Sequence, residues 1–197
     1  MDLTLHPEYI PALRSEIESH WTTPSNFDTN ALTLVEAFIT ESARVYSYES
    51  SKQTNTTLQL DYFLTTIAAN VHRVARRDYT FADGYVVPKG NWAKFNQQAI
   101  FNSPMLFPDP DKFNPYRHLE SGRKLKDVSM KWPMWGAPGL AWPGRFMVDR
   151  FIKVLVAHLL LNYDMKLSQT TGLNISWRES EVPSPRVKLL LRRRERQ

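Results

Sequence analysis

The sequence predicts an α+β chain that is mainly helical, and three observations carry that prediction. Apolar residues recur at helical spacing from Pro7 to His20, around Leu32 to Ile39, and from Arg145 to Leu161. Between the second and third of these lie short β-rich runs punctuated by turn pairs. The 197 residues are 42% hydrophobic and 12% aromatic, enough for one real core and too few for two independent domains. The expected organisation is a single domain, residues 1–197.

In chain order, Pro7 suits a first helical position, and Ile10, Leu13 and Ile17 make the apolar stripe of the first helix. Thr22 to Asn30 is a polar connection containing Pro24. The second helix buries Leu32, Leu34, Val35, Phe38 and Ile39. Residues 47–57 are polar and loop-like, and Leu58 to Ala69 leans towards a short helix. Arg73 to Arg77 and Tyr85 to Val87 predict short strands around a turn at Asp83-Gly84, with a second turn at Lys89-Gly90. Pro104 to Arg117, rich in proline and aspartate, predicts an irregular meander, and residues 120–131 a charged loop. A tryptophan-rich loop then feeds the long third helix. Its apolar residues Phe146, Val148, Phe151, Ile152, Leu155, Val156, Leu159 and Leu160 are expected to form the buried face. A hairpin-like pair of strands and a basic tail end the chain.

Charge and cysteine content exclude whole classes of function. The net charge of +5 resides in residues 186–197, where Arg186, Lys188, Arg192, Arg193, Arg194 and Arg196 face only Glu195. The rest of the chain is balanced, so a nucleic-acid-binding surface is not expected. The absence of cysteine excludes disulfides, thiolate-metal sites and cysteine nucleophiles. No apolar run is long enough to span a bilayer, and no signal peptide is present, so a soluble cytoplasmic protein is expected. No metal-ligand cluster stands out.

Several segments carry a family resemblance. His6 to Arg14 reads His-Pro-Glu-Tyr-Ile-Pro-Ala-Leu-Arg. Glu41-Ser42-Ala43-Arg44 fits an E-x-x-R pattern. Phe107 to Arg117 contains an F-x-P-x-R box, and Trp135 to Phe146 ends in Pro143-Gly144-Arg145-Phe146. Ala157 to Asp164 completes the series. In this order and spacing the chain resembles the C-terminal half of a fungal cytochrome P450. The resemblance implies a partial P450 fold: J, K and L helices, meander and small β-sheets, without the I helix and the N-terminal half. It also implies that Glu41, Arg44 and Arg117 form a buried structural ion-pair network. Removing one member of such a network costs about 3–5 kcal/mol.

The departures from the family pattern direct the functional expectation. Trp142 stands where the family carries its haem-ligating cysteine, whose thiolate pushes electron density onto iron. Leu140 replaces a propionate partner, and Pro138 a loop glycine. Residues from about 47 to 67 form an insertion atypical of the family, expected to cover apolar surface left by the missing half. Haem binding is therefore not expected, and no other cofactor or metal is implied.

What remains is a vacated pocket walled by tryptophan, a residue offering a flat apolar face and one N–H donor. Trp142, Arg73 and His72 are the candidate catalytic residues, and Trp135, Trp132 and Arg145 the candidate substrate-binding residues. The expected function is a cofactor-free, non-redox isomerase or cyclase of the Diels–Alderase type. It would act on an apolar terpenoid or polyketide intermediate of fungal-type secondary metabolism, using proximity and a directed hydrogen bond. The alternative is a non-catalytic partner or regulator of a full-length P450, docked through the basic tail. Exposed apolar surface also raises the expectation of a homodimer.

Overall fold

The computed structural model describes residues 1–20, 27–45, 71–177 and 180–195. The insertion expected at about 47–67, and the short helix expected at Leu58 to Ala69, lie outside the described residues.

A short helix α1 (Asp2–Leu5) leads through a 3-10 turn (Pro7–Tyr9) into α2 (Ile10–His20). Pro7 occupies the first position of the 3-10 turn, where its missing N–H costs nothing. α3 (Thr33–Val45) follows. Its amino-terminal N–H groups, which lack partners within the helix, are met by a side chain from α2: Glu16 accepts from the backbone N–H of Leu34 at 2.8 Å and of Val35 at 2.9 Å. A carboxylate there also complements the positive end of the helix dipole.

The small sheets pair differently from the sequence expectation. β1 (Val71–Val74) pairs antiparallel with β4 (Trp92–Phe95), in register Arg73 opposite Ala93. β2 (Tyr79–Thr80) and β3 (Val86–Val87) form a separate inner hairpin across Asp83-Gly84. Tyr85 to Val87 therefore pairs within the inner hairpin and not with Arg73 to Arg77. Gly84 and Gly90 both sit at positive φ, 88° and 87°, which is why each turn is closed by glycine.

α4 (Gln97–Phe101) is capped by Asn96, whose side chain accepts from the N–H of Ala99 at 3.0 Å. After the irregular meander comes α5 (Tyr116–Ser121), which Gly122 ends in the left-handed conformation. This helix takes up the start of the stretch expected to be a charged loop. α6 (Arg145–Asn162) is the long helix. β5 (Tyr163–Leu167) then pairs with β8 (Leu189–Arg193), enclosing the smaller ladder of β6 (Asn174–Trp177) and β7 (Ser180–Pro183).

The main core joins α2, α3 and α6 through Leu13, Ile17, Val35, Phe38, Ala157 and Leu160. A second, aromatic cluster of Phe101, Phe107 and Trp132 fills the space between α4 and the meander.

α6 buries an unexpected side. Its buried residues are Asp149, Lys153, Ala157 and Leu160, whereas Phe146 and Phe151 are 57% and 65% exposed and Leu155 is exposed beside them. The helix turns a charged i, i+4 stripe inward because α3 supplies the partner: the Lys153 ammonium meets Glu36 and, at 3.2 Å, Asp149. The apolar face expected to be buried is thus divided, with Leu160 inside and Phe146, Phe151 and Leu155 outside.

Among the described residues no helix is long and apolar enough to cross a membrane.

Candidate functional site

The tryptophan loop is organised around one backbone carbonyl. The indole N–H groups of Trp132 and Trp135 both donate to the Leu125 oxygen, at 3.3 and 2.5 Å. Leu125 is itself fixed, because its N–H donates to the Glu36 carboxylate at 2.9 Å. The chain then returns so that the Trp142 N–H donates to the Trp135 oxygen at 2.8 Å. The Trp135 and Trp142 rings lie 5.7 Å apart at 34°.

The three tryptophans do not share one surface. Trp132 is 1% exposed and belongs to the aromatic cluster. Trp135 is half-buried against the main core. Trp142 is 49% exposed, with its ring lying over Gly144. Arg145 anchors the turn by donating from Nη1 to the Trp142 oxygen at 2.9 Å, and its guanidinium lies 4.2 Å from the Phe146 ring centre. The Arg145 Nε is buried without a hydrogen-bond partner among the described residues. His72 and Arg73 lie on β1, with Arg73 exposed.

Beneath this loop, the E-x-x-R segment of α3 forms a dense ion-pair network. Arg44 donates to Glu41 from Nε at 2.9 Å and from Nη2 at 2.8 Å, with both side chains fully buried. Arg117 donates from Nε to Glu41 at 3.2 Å and from its other nitrogens to the oxygens of Pro108, Asp109 and Lys112. The N–H of Asn114 adds a bond to Glu41 at 2.9 Å. Arg44 also donates to the oxygens of Phe101 and Pro110, so two arginines sew the meander to α3.

His118, a lone histidine that the sequence does not connect to these charges, completes the network at 2.8 Å from Glu41. Burial pushes its pKa below the ordinary value even though Glu41 pulls the other way. The neutral ring therefore donates through Nε2–H and leaves a buried Nδ1 without a partner. Burial raises the pKa of Glu41, but the bonds from Arg44, His118 and the Asn114 N–H outweigh it and hold the group at about 2. These groups are locked to one another and serve as a brace.

Lys153, Glu36 and Asp149 make a second brace that the sequence reading also missed, with Lys126 at 3.2 Å from Asp149 on its outer side. The available signals were the i, i+4 spacing of Asp149 and Lys153 and the position of His118 directly after Arg117.

A helix with an E-x-x-R brace, a meander sewn to it, and a Pro-Gly-Arg-Phe loop opening a long helix define a partial fold of the P450 type. Solved structures share it. A retinoic acid-bound cyanobacterial CYP120A1 superposes with a TM-score of 0.73 at 18% identity, over 97% of this chain and 40% of the other. A second cytochrome P450, CYP102L1, gives a TM-score of 0.69 at 20% identity, over 98% and 40%.

A family model described as Cytochrome P450 matches residues 63–191, and the chain belongs to that family. Dihydromonacolin L monooxygenase mokC of Monascus pilosus is 29% identical over 99% of this chain and 36% of its own length. Cytochrome P450 monooxygenase lenC of Aspergillus lentulus is 30% identical over 82% and 32%. Pyrichalasin C-7 hydroxylase of Pyricularia grisea is 28% identical over 87% and 33%. The chain thus spans about a third of the length of these relatives.

These findings correct two expectations. The named relatives are fungal monooxygenases and a hydroxylase, so the reading as a cofactor-free isomerase or cyclase of the Diels–Alderase type is overturned. The expectation of no haem is overturned with it, since the family and its relatives are P450s and imply haem.

The loop residues themselves do not fit thiolate ligation. The ligand position holds an indole, whose nitrogen is a donor only, and that ring is laid over Gly144. The neighbouring Leu140 side chain is exposed and offers no hydrogen bond to a propionate. No step through thiolate-bound iron is available from these residues.

Proposed function

We propose that this chain is the proximal part of a P450-type protein of fungal secondary metabolism, folded as one C-terminal P450-like domain. The braced module presents its apolar α6 face to a complementing P450 portion, and the two enclose an apolar small-molecule substrate between them. Trp142, Trp135 and Arg145 lie on the loop entering that face, and Arg73 and His72 on β1 are assigned to the same enclosure. Trp132 acts from behind by fixing the loop through Leu125.

One observation carries the reading. α6 is pinned on one side by Lys153, Glu36 and Asp149, and displays Phe146, Met147, Phe151 and Leu155 on the other. A helix with an ion-paired inner side and an apolar outer row is built to be covered twice. The relatives supply the class of cover, because two-thirds of their length lies outside the matched part. Their names supply the class of substrate: dihydromonacolin L for one, and pyrichalasin at C-7 for another.

The test is co-expression with the unmatched portion of the Monascus pilosus relative. Co-purification, and quenching of tryptophan emission by dihydromonacolin L in the complex, are expected, with both lost in Phe151→Glu. A complex that fails to form while both chains are folded would overturn the reading. So would a tight homodimer burying Phe151, which would assign the face to a second copy.

A further inference from the structure

We propose that the cavity between the 3-10 turn and the meander, on a different part of the molecule from the α6 face, binds a small arylalkyl carboxylate through Arg123. The cavity has a volume of about 660 Å³, within the range of small-molecule sites, roughly 300–1,000 Å³. Tyr9, Leu106, Phe107 and Phe113 give it apolar and aromatic walls. Three cations, Lys112, Arg117 and Arg123, line it against two carboxylates, Asp109 and Glu120.

The cations are not equivalent. Lys112 is committed to Asp109 at 2.9 Å. Arg117 spends its donors on Glu41 and on three backbone oxygens of the meander. Arg123 is different: among the described residues its guanidinium has no hydrogen-bond or ion-pair partner. It is held by ring contacts alone, with its central carbon 4.8 Å from the Phe107 ring centre and 5.5 Å from that of Trp132. Contact with ring faces positions a guanidinium without spending its N–H donors. Burial disfavours its charge, and the fields of Asp127 and Glu41 offset this in part.

A fixed, half-buried, unspent fork at an apolar cavity matches a ligand with a carboxylate head and an apolar body. The head would accept a bidentate pair of bonds. Glu120 opposes an anion with a second charge further along its body, which favours a monoanion over a dicarboxylate. Phosphate alone would leave the aromatic walls unused.

The probe is 3-phenylpropionate, titrated calorimetrically into the full chain, with the Trp132 contribution to emission as a second readout. 3-Phenylpropanol serves as the uncharged control. Saturable binding of the carboxylate is expected, weakening roughly tenfold to a hundredfold in Arg123→Gln, as for loss of a charge-assisted pair. Arg123→Lys keeps the charge and loses the fork, and is expected to fall between the two. Arg150→Gln, on the exposed part of α6, should leave binding unchanged.

Equal affinity for the alcohol would overturn the proposal, as would undiminished binding in Arg123→Gln or no saturation in the folded wild-type chain. Should Arg123→Gln fail to fold, the Arg123→Lys series decides, because unchanged affinity there removes the fork from the argument. Phe151→Glu, which tests the complementing face, is expected to leave this titration intact, so the two readings fail separately.

Discussion

The Trp142 ring lies over Gly144 so closely that a Cβ built on the glycine would stand 2.3 Å from the ring's Cζ2. The two residues are matched in size: the indole can lie where it does because residue 144 carries no side chain. Gly144→Ala is therefore expected to displace the Trp142 ring into solvent. The ring is half exposed and can move, so the stability cost should stay near 1 kcal/mol, at the low end of overpacking. Red-shifted tryptophan emission in Gly144→Ala, abolished in the Trp142→Ala background, checks the relationship. An unshifted spectrum would show that the ring does not rest on Gly144.

Glu41 sets the acid limit of the fold. Its pKa falls from an ordinary 4.5 to about 2 in the folded chain, which corresponds to roughly 3 kcal/mol of stability at neutral pH. A depressed carboxylate contributes above its unfolded value and loses that contribution as pH falls through the folded one. The Glu41 share should thus disappear between about pH 4.5 and 2. His118 has the same sign for the opposite chemistry. Its pKa is lowered by burial, so the unfolded chain takes up the proton first, and stability begins to fall below pH 6.5. Urea midpoints measured against pH should show two descending segments. His118→Gln is expected to flatten the upper one and Glu41→Gln the lower.

The Lys153 ammonium is the only cation on the Glu36 carboxylate among the described residues. Asp149 retains Lys126 on its outer side, at 3.2 Å. Lys153→Met leaves Glu36 buried and unpaired, and is expected to destabilise the fold by about 3–5 kcal/mol. Adding Glu36→Gln should recover part of that loss, because a neutral amide still accepts from the Leu125 N–H. A double-mutant cycle read by thermal unfolding measures the coupling. Full additivity would show that the two side chains act independently.

How much of this could be read from the sequence follows from the kind of contact involved. The helices starting near Ile10, Thr33 and Arg145 were legible because their apolar spacing is local. The E-x-x-R segment was legible because Glu41 and Arg44 lie one turn apart. The pairing of β2 with β3 was not, since runs of two residues carry no alternation to match. The inward side of α6 was misread for a clear reason. Hydrophobic spacing assigns Phe151 and Leu155 to the core, but Lys153 is buried by a carboxylate more than a hundred positions away on α3. The family resemblance was legible from Phe107 to Arg117 and from Pro143 to Phe146. The function inferred from Trp142 was not, because one substituted ligand position does not specify a new reaction.

Arg14 and Arg192 both donate to Asp164, and of these two Arg14 alone also braces backbone oxygens, sharing that of Leu160 with Arg194 at 3.2 Å. Arg14 donates to the Leu160 and Tyr163 oxygens at 3.0 Å as well as to the carboxylate at 2.9 Å. It therefore satisfies carbonyls at the end of α6 that the helix leaves open, and it ties α2 to β5. Arg192 makes one bond to Asp164 at 2.9 Å from a side chain that is 84% exposed. Exposed pairs of that kind are screened and contribute little. Arg14→Gln is expected to lower stability by about 2 kcal/mol, on the scale of charge-assisted bonds to part-buried acceptors. Arg192→Gln should leave the denaturation midpoint unmoved. Raising the salt concentration discriminates further, because the carbonyl bonds of Arg14 lie beneath the surface and should persist when the Arg192 pair is screened. Equal sensitivity of the two variants would place the stability of this corner in the basic tail instead.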